Sequence, residues 1–164
     1  MKLLVANRAE IAVRVMATAA VLGMDTVAVY PDDDAACAHV ARAGAAVRLP
    51  GAGPAAYLDV GAIVEAATGS GCDTLHPGYG FLAENSALAR ACAAAGLRFA
   101  GPAPEVLDLF GDKTAARTRA ADLGIPLARA TDGPAGPGQA HAFLASLGPG
   151  AAVMVKAEIG RAHV

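Results

Sequence analysis

A chain of 164 residues and 16.2 kDa has the size of one ordinary domain and is too short for two full ones. Alanine supplies 43 residues, which lifts the apolar share to 55% without adding large side chains, and no apolar run approaches the roughly 18 residues of a membrane span. The net charge of −2, from 13 basic and 15 acidic residues, leaves no basic field for gripping a nucleic-acid backbone.

Along the chain, short β-branched runs alternate with stretches of helical period and with glycines. Leu3–Ala6 reads as a buried strand. The helix after it places Ile11, Val15, Thr18 and Leu22 on one face, and Gly23 stands where a left-handed helix stop is expected. Thr26–Tyr30 is the second strand and Pro31-Asp32-Asp33-Asp34 the polar break behind it. A short helix at Cys37–Ala41 leads to a third strand around Ala46–Leu49. Leu49–Pro54, with two prolines and two glycines, is a loop. A helix over Val60–Ala67 precedes a fourth strand at Asp73–His76. A helix over Glu84–Ala95, with Leu88 and Cys92 on one face, precedes a fifth at Leu97–Ala100. Strands separated by helices of this length need crossover connections, so the pattern predicts an α/β fold with a doubly wound parallel sheet.

Beyond Gly101-Pro102 the character changes. Pro104 opens a short helix, and Asp112 is placed to cap a second one running through Ala115–Leu123. Thr131–Gly138 is a turn-rich connector, Gln139–Leu147 a further helix, and Ala152–Lys156 is expected to start a second sheet. The three cysteines, Cys37, Cys72 and Cys92, lack paired metal-ligand spacing, and Cys92 on its helix stripe reads as a small buried hydrophobe. The balance fits a reduced, cytoplasmic protein.

Ligands of open parallel sheets bind beyond the carboxyl ends of the strands. The most unusual loop there is His76-Pro77-Gly78-Tyr79-Gly80-Phe81, in which proline fixes one angle and the glycines admit positive φ and close approach. Composition alone favours a stiff tight turn over a ligand loop, and a core histidine over a base at His76. Lys113 lies in the first turn of a helix, where its charge opposes the dipole, and Lys156 ends an apolar strand. Each alone reads first as a surface lysine, yet two lysines converging on one phosphate chain is a known nucleotide-binding arrangement. The first strand runs into Ala6-Asn7-Arg8-Ala9-Glu10, not a Gly-x-Gly-x-x-Gly turn, and no Gly-Lys-Ser/Thr loop exists, so a dehydrogenase or P-loop ATPase is not expected.

Val5–Arg14 resembles the opening of biotin-dependent carboxylases, and Leu75–Asn85 resembles that family's most distinctive stretch. Tyr57-Leu58, Phe99–Pro102, Gly111-Asp112-Lys113 and Val153–Ala157 follow in the family's order and at about its spacing. Leu49–Leu58 and Ala145–Gly150 are similar to large single-chain acyl-CoA carboxylases. The resemblance implies a Rossmann-like pre-ATP-grasp domain over residues 1–110, then linker helices and the start of an ATP-grasp domain over 111–157. It further implies an ATP-dependent ligase in which MgATP (or the manganese form) and bicarbonate carboxylate biotin on a carrier protein. A biotin carboxyl carrier domain and a carboxyltransferase are the implied partners. Lys113 and Lys156 match the family lysines that contact ATP phosphates, and Tyr79-Gly80 matches the segment bordering the biotin site. No catalytic base and no metal ligand is assigned within the chain. Arg8, Glu10 and Arg14 match the family pattern in a structural capacity.

Two departures stand out. Ala9 replaces the family's usual glycine, where a methyl could crowd a close approach although a helix start accepts alanine well. After Ala157 the family's glycine-rich loop is replaced by Glu158–Val164, and Ile159–Val164 resembles a translated sequencing adapter, so 158–164 is expected to be a non-native tail. The expectation is a carboxylase fragment without activity of its own. The alternatives are an ATP-grasp ligase of carbamoyl-phosphate synthetase type and a non-catalytic α/β module binding a nucleotide or a partner.

Overall fold

The computed structural model describes residues 1–131 and 133–156, and the chain divides into two compact units, Met1–Leu107 and a second from Asp108 on. In the first unit the apolar runs form one parallel sheet. Its strands are β1 (Lys2–Val5), β2 (Asp25–Tyr30), β3 (Ala45–Arg48), β4 (Thr74–His76) and β5 (Arg98–Phe99), in the order β3-β2-β1-β4-β5. Val5 pairs with Ala28 on one side and His76 on the other, so the carboxyl ends of β1 and β4 lie together where the strand order reverses. That reversal is the standard ligand crevice of an open parallel sheet.

Helices α1 (Ala9–Val21), α2 (Ala38–Arg42), α3 (Val60–Gly69) and α4 (Ser86–Ala94) make the crossovers. The strand period of two divides the core between the faces. Leu3, Val5 and Ala28 pack with Ala12, Met16 and Ala19 of α1. Leu4, Val27, Val29 and Leu75 pack with Ile63 and Ala67 of α3 and Leu88 and Cys92 of α4. Asp59 caps α3 by accepting from the Ala62 N–H (3.0 Å), Asn85 caps α4 by accepting from Ala87 (2.8 Å), and Gly23 closes α1 at φ +69°.

The stripe Ile11, Val15, Thr18 and Leu22 does share one face of α1, along a cleft, but a different stripe meets the sheet: Ala12, Met16 and Ala19 face it, and Leu22 is 64% exposed. The helix is turned by one residue, about 100°. Two alanines allow the helix axis close to the strands while Met16 fills the remaining gap; isoleucine and valine there would hold it off. Ile11 and Val15 instead line a cleft of about 470 Å³ beside the helix, together with Leu3, Thr74, Tyr79 and Arg98.

The second region contains α6 (Lys113–Asp122) and α7 (Pro137–Ser146), preceded by α5 (Pro104–Gly111), which spans the division between the units. As expected, Asp112 caps α6, its carboxylate accepting from the Thr114 and Ala115 N–H groups at 2.8 and 3.0 Å. The Gly136 N–H donates to the Gln139 side chain (2.9 Å) at the start of α7, and Arg129 lies 5.9 Å over the Phe143 ring. No described residue from Gly101 to Lys156 is buried. The strand expected at Ala152–Lys156 does not form; residues 151–156 lie outside helix and strand. A strand needs a neighbouring ladder, and none is present among the described residues of this region. The expected tail at 158–164 lies outside the described residues. Among the described residues, no helix is long and apolar enough to cross a membrane.

Candidate functional site

The candidate site is the loop that leaves β4 at the crevice. The Ala6 N–H donates to the His76 carbonyl (2.9 Å), extending the β1–β4 ladder to its last rung. Past that rung the chain turns through Gly78 (φ +67°), Gly80 (φ +71°) and Phe81 (φ +41°). His76 Nδ1 accepts from the Gly78 N–H at 2.9 Å, and burial pushes the imidazole below its ordinary pKa. A neutral ring with Nδ1 engaged as acceptor locks the turn, which favours the core reading of His76 over a base.

The loop is held from the first βα connection. Asn7 is fully buried and donates from Nδ2 to the carbonyls of Pro77 (2.9 Å) and Tyr79 (3.0 Å), while its Oδ1 accepts from the Arg8 N–H (2.9 Å). A Cβ on Gly78 would stand 2.5 Å from Asn7 Nδ2 and 2.9 Å from Ile11 Cγ2, so only glycine fits both the space and the positive φ. Tyr79 is 60% exposed, and its hydroxyl donates to Glu10 Oε1 at 3.2 Å. Phe81 turns inward and stacks on Tyr57, with ring centroids 5.1 Å apart.

Behind the loop lies a polar cluster that sequence reasoning missed. Asp34 accepts from the Tyr57 hydroxyl (2.8 Å), Arg8 (3.0 Å) and the Cys37 thiol (3.3 Å). Burial alone would raise the Asp34 pKa, but the hydrogen bonds from Tyr57 and Cys37 and the Arg8 charge hold its carboxyl below the ordinary range. Burial and the same carboxylate push the Tyr57 hydroxyl up, and the hydrogen bond to Asp34 raises the Cys37 thiol, leaving neither an activated nucleophile. His39, fully buried, accepts from the Ala9 N–H at Nδ1 (3.4 Å), so its Nε2 carries the proton given to the Val29 carbonyl (3.3 Å). Burial lowers its pKa. The cluster ties Arg8, Cys37 and Tyr57 to one buried carboxylate, and Tyr57 in turn carries the Phe81 ring of the loop. The signal for it was the acid run at Asp32–Asp34, which reads in sequence only as a polar break.

Ala9 adopts φ +49°, a left-handed conformation costing an L-residue about 1–2 kcal/mol. Ala9 does open α1, as expected, but in a conformation that glycine adopts without this cost. Tyr79 and Gly80 stand side by side on the crevice loop of the first unit. Lys113, half-buried at the first turn of α6, and Lys156, exposed after α7, belong to the second. Among the described residues no three His, Cys, Asp or Glu side chains gather where they could hold a metal ion.

A parallel sheet with helices on both faces and a glycine-bearing loop at its switch point defines a doubly wound α/β domain, the loop lying where ligands of such sheets bind. The family model "Biotin carboxylase, N-terminal domain" matches residues 1–107, and the chain belongs to the biotin carboxylase family. It is 47% identical over 133 residues to the biotin carboxylase of Halalkalibacterium halodurans (strain C-125), covering 80% of this chain and 29% of that protein. A solved single-chain, multi-domain long-chain acyl-CoA carboxylase superposes with a TM-score of 0.85 at 53% identity, over 88% of this chain and 14% of that one. The biotin carboxylase domain of the Hydrogenobacter thermophilus 2-oxoglutarate carboxylase, solved with MgADP, ADP and bicarbonate, does so with 0.85 at 37% identity, over 90% and 33%. The chain spans only 11% to 29% of the length of the first curated relatives it matches.

Proposed function

We propose that this chain supplies the N-terminal part of an ATP-dependent biotin carboxylase, the ligase that joins a carboxyl group from bicarbonate to biotin on a carrier protein at the expense of ATP. The family match over residues 1–107 carries this reading. A relative solved with MgADP and bicarbonate supports ATP, magnesium (or manganese) and bicarbonate as its reactants. A biotin carboxyl carrier domain and a carboxyltransferase are the partners this chemistry requires, and three free thiols agree with a cytoplasmic setting.

Lys113 and Lys156 are assigned to the ATP phosphates. The α6 N-terminus is already closed by the Asp112 carboxylate, so the ammonium of Lys113, not the helix end, is the group suited to a phosphate there. Two ammonium groups would neutralise charge that builds on the transferring phosphoryl oxygens. Tyr79-Gly80 is assigned to the biotin side by its resemblance to the family segment bordering that site, and an exposed rim on a backbone fixed from beneath is compatible with the role.

The test is a chimera in which residues 1–156 replace the matching segment of the Halalkalibacterium halodurans biotin carboxylase. Biotin- and bicarbonate-dependent ADP formation is expected from the chimera and none from the 164-residue chain alone. Lys113→Ala and Lys156→Ala should each raise the KM for ATP about tenfold or more, the size of a lost charge-assisted phosphate contact. A folded chimera without activity, or lysine variants with an unchanged KM, would refute the assignment.

A further inference from the structure

We infer that Asn7 is the positioning residue for the Tyr79-Gly80 rim. The inference rests on the biotin-side assignment of that rim and adds to it the group that fixes where the rim stands.

Asn7 is the second residue past β1 and is fully buried. Its side-chain amide has two N–H donors and one carbonyl, and each is used in one direction. Both donors reach the β4 loop, at the carbonyls of Pro77 and Tyr79, which flank Gly78. The carbonyl accepts from the Arg8 N–H, fixing the plane of the amide against its own backbone. A planar group held at three points transmits its orientation to both carbonyls. Gly78 lies against the same amide, closer than any side chain could come. The loop is thereby pinned on either side of its tightest turn, immediately before Gly80.

The second contact is softer. Glu10 accepts from the Tyr79 hydroxyl at 3.2 Å, on the exposed side. An exposed contact of this length orients a ring without fixing a backbone. Asn7 therefore sets the position of the Tyr79 peptide, and Glu10 only steers its ring. The buried Asp34 cluster does not substitute for Asn7, since its bonds end on Arg8, Cys37 and Tyr57 and none reaches the backbone of residues 77–80.

The experiment uses the full chain carrying Asn7→Asp, which keeps the shape but faces two carbonyl oxygens with acceptors, and Asn7→Ser, which keeps one donor. Backbone order parameters measured by NMR are expected to fall below about 0.6 at residues 78–81 in Asn7→Asp, with β1 and β2 staying near about 0.85 and Asn7→Ser between the two. Met16→Ala serves as a destabilised control that leaves the loop ordered. Order lost evenly across the first unit, an ordered loop in the folded variants, or failure of both variants to fold would overturn the inference in favour of a merely structural asparagine. In the chimera, Asn7→Ser should raise the KM for biotin about tenfold while leaving the KM for ATP unchanged. Equal changes in both constants would overturn it as well. If the unsubstituted chimera lacks activity, the biotin carboxylase reading fails, and the order parameters still decide whether Asn7 positions the loop.

Discussion

The two regions of this chain are equally rich in helix signals and differ in what those helices have to pack against. In Met1–Leu107 every strand offers an apolar face, and alanine-rich helices close on it tightly enough to bury Leu4, Val5, Ile63, Leu75 and Leu88 completely. From Asp108 on, α6 and α7 are properly capped, yet neither buries a residue, and Leu123 and Ile125 stand half exposed or more. Capping and propensity place a helix; apolar burial is what stabilises it. The candidate residues divide the same way: Tyr79 and Gly80 lie on a loop of the first unit fixed by buried hydrogen bonds, and Lys113 and Lys156, proposed above for the ATP phosphates, lie on segments of the second that bury no residue.

The contrast can be broken most forcefully in the core. Leu88→Ala should cost about 2–5 kcal/mol in urea unfolding, whereas Leu123→Ala in the second region should stay within about 0.5 kcal/mol. Similar losses at both positions would erase the distinction. A smaller effect is expected at the loop. Gly78→Ala meets Asn7 and Ile11 as well as a left-handed backbone and should cost about 2–3 kcal/mol, while Gly80→Ala, with open space around its Cβ, should cost only the backbone term of about 1 kcal/mol.

Acid should act on the first region in two windows. His39 and His76 are held neutral by burial, so the unfolded chain binds more protons than the folded one below the ordinary value of 6.5, and stability falls as pH drops through it. Asp34, held below its ordinary 3.8, contributes stability that is present above that value and is lost as pH falls through its depressed folded-state pKa. Urea midpoints followed from about pH 7 down to about pH 2 should show both steps, and Asp34→Asn should weaken the lower one, which Asp32 and Asp73, also held below the ordinary carboxylate value, share. The smallest effect is Ala9→Gly, which should stabilise by about 0.5 kcal/mol, as relief of the left-handed conformation slightly outweighs the added chain entropy. A loss at this position would show that the methyl group packs usefully.

Much of this was legible in the sequence. The five strands, the alternation that makes the sheet parallel, the stop at Gly23 and the caps expected from Asp112 and its helix all follow from local rules, because each depends on residues within a few positions. The buried face of α1 was not legible. Whether Ile11 or Ala12 faces the sheet depends on how close the helix can come, which a count of apolar residues does not contain. The strand at Ala152–Lys156 failed for a related reason: an apolar run specifies a strand only when a ladder awaits it. In the site, the glycines of the His76–Phe81 loop announced themselves, while Asn7 did not. Its partners are 70 and 72 residues away, and a lone asparagine after a strand carries no sign of what it will hold.

Residue-resolved amide hydrogen exchange on the whole chain tests the division between the regions most directly. Amides of β1, β2 and β4 should exchange only through global unfolding, and those of α6 and α7 at least about a hundredfold faster, through local opening. Equal protection in both regions would contradict the account.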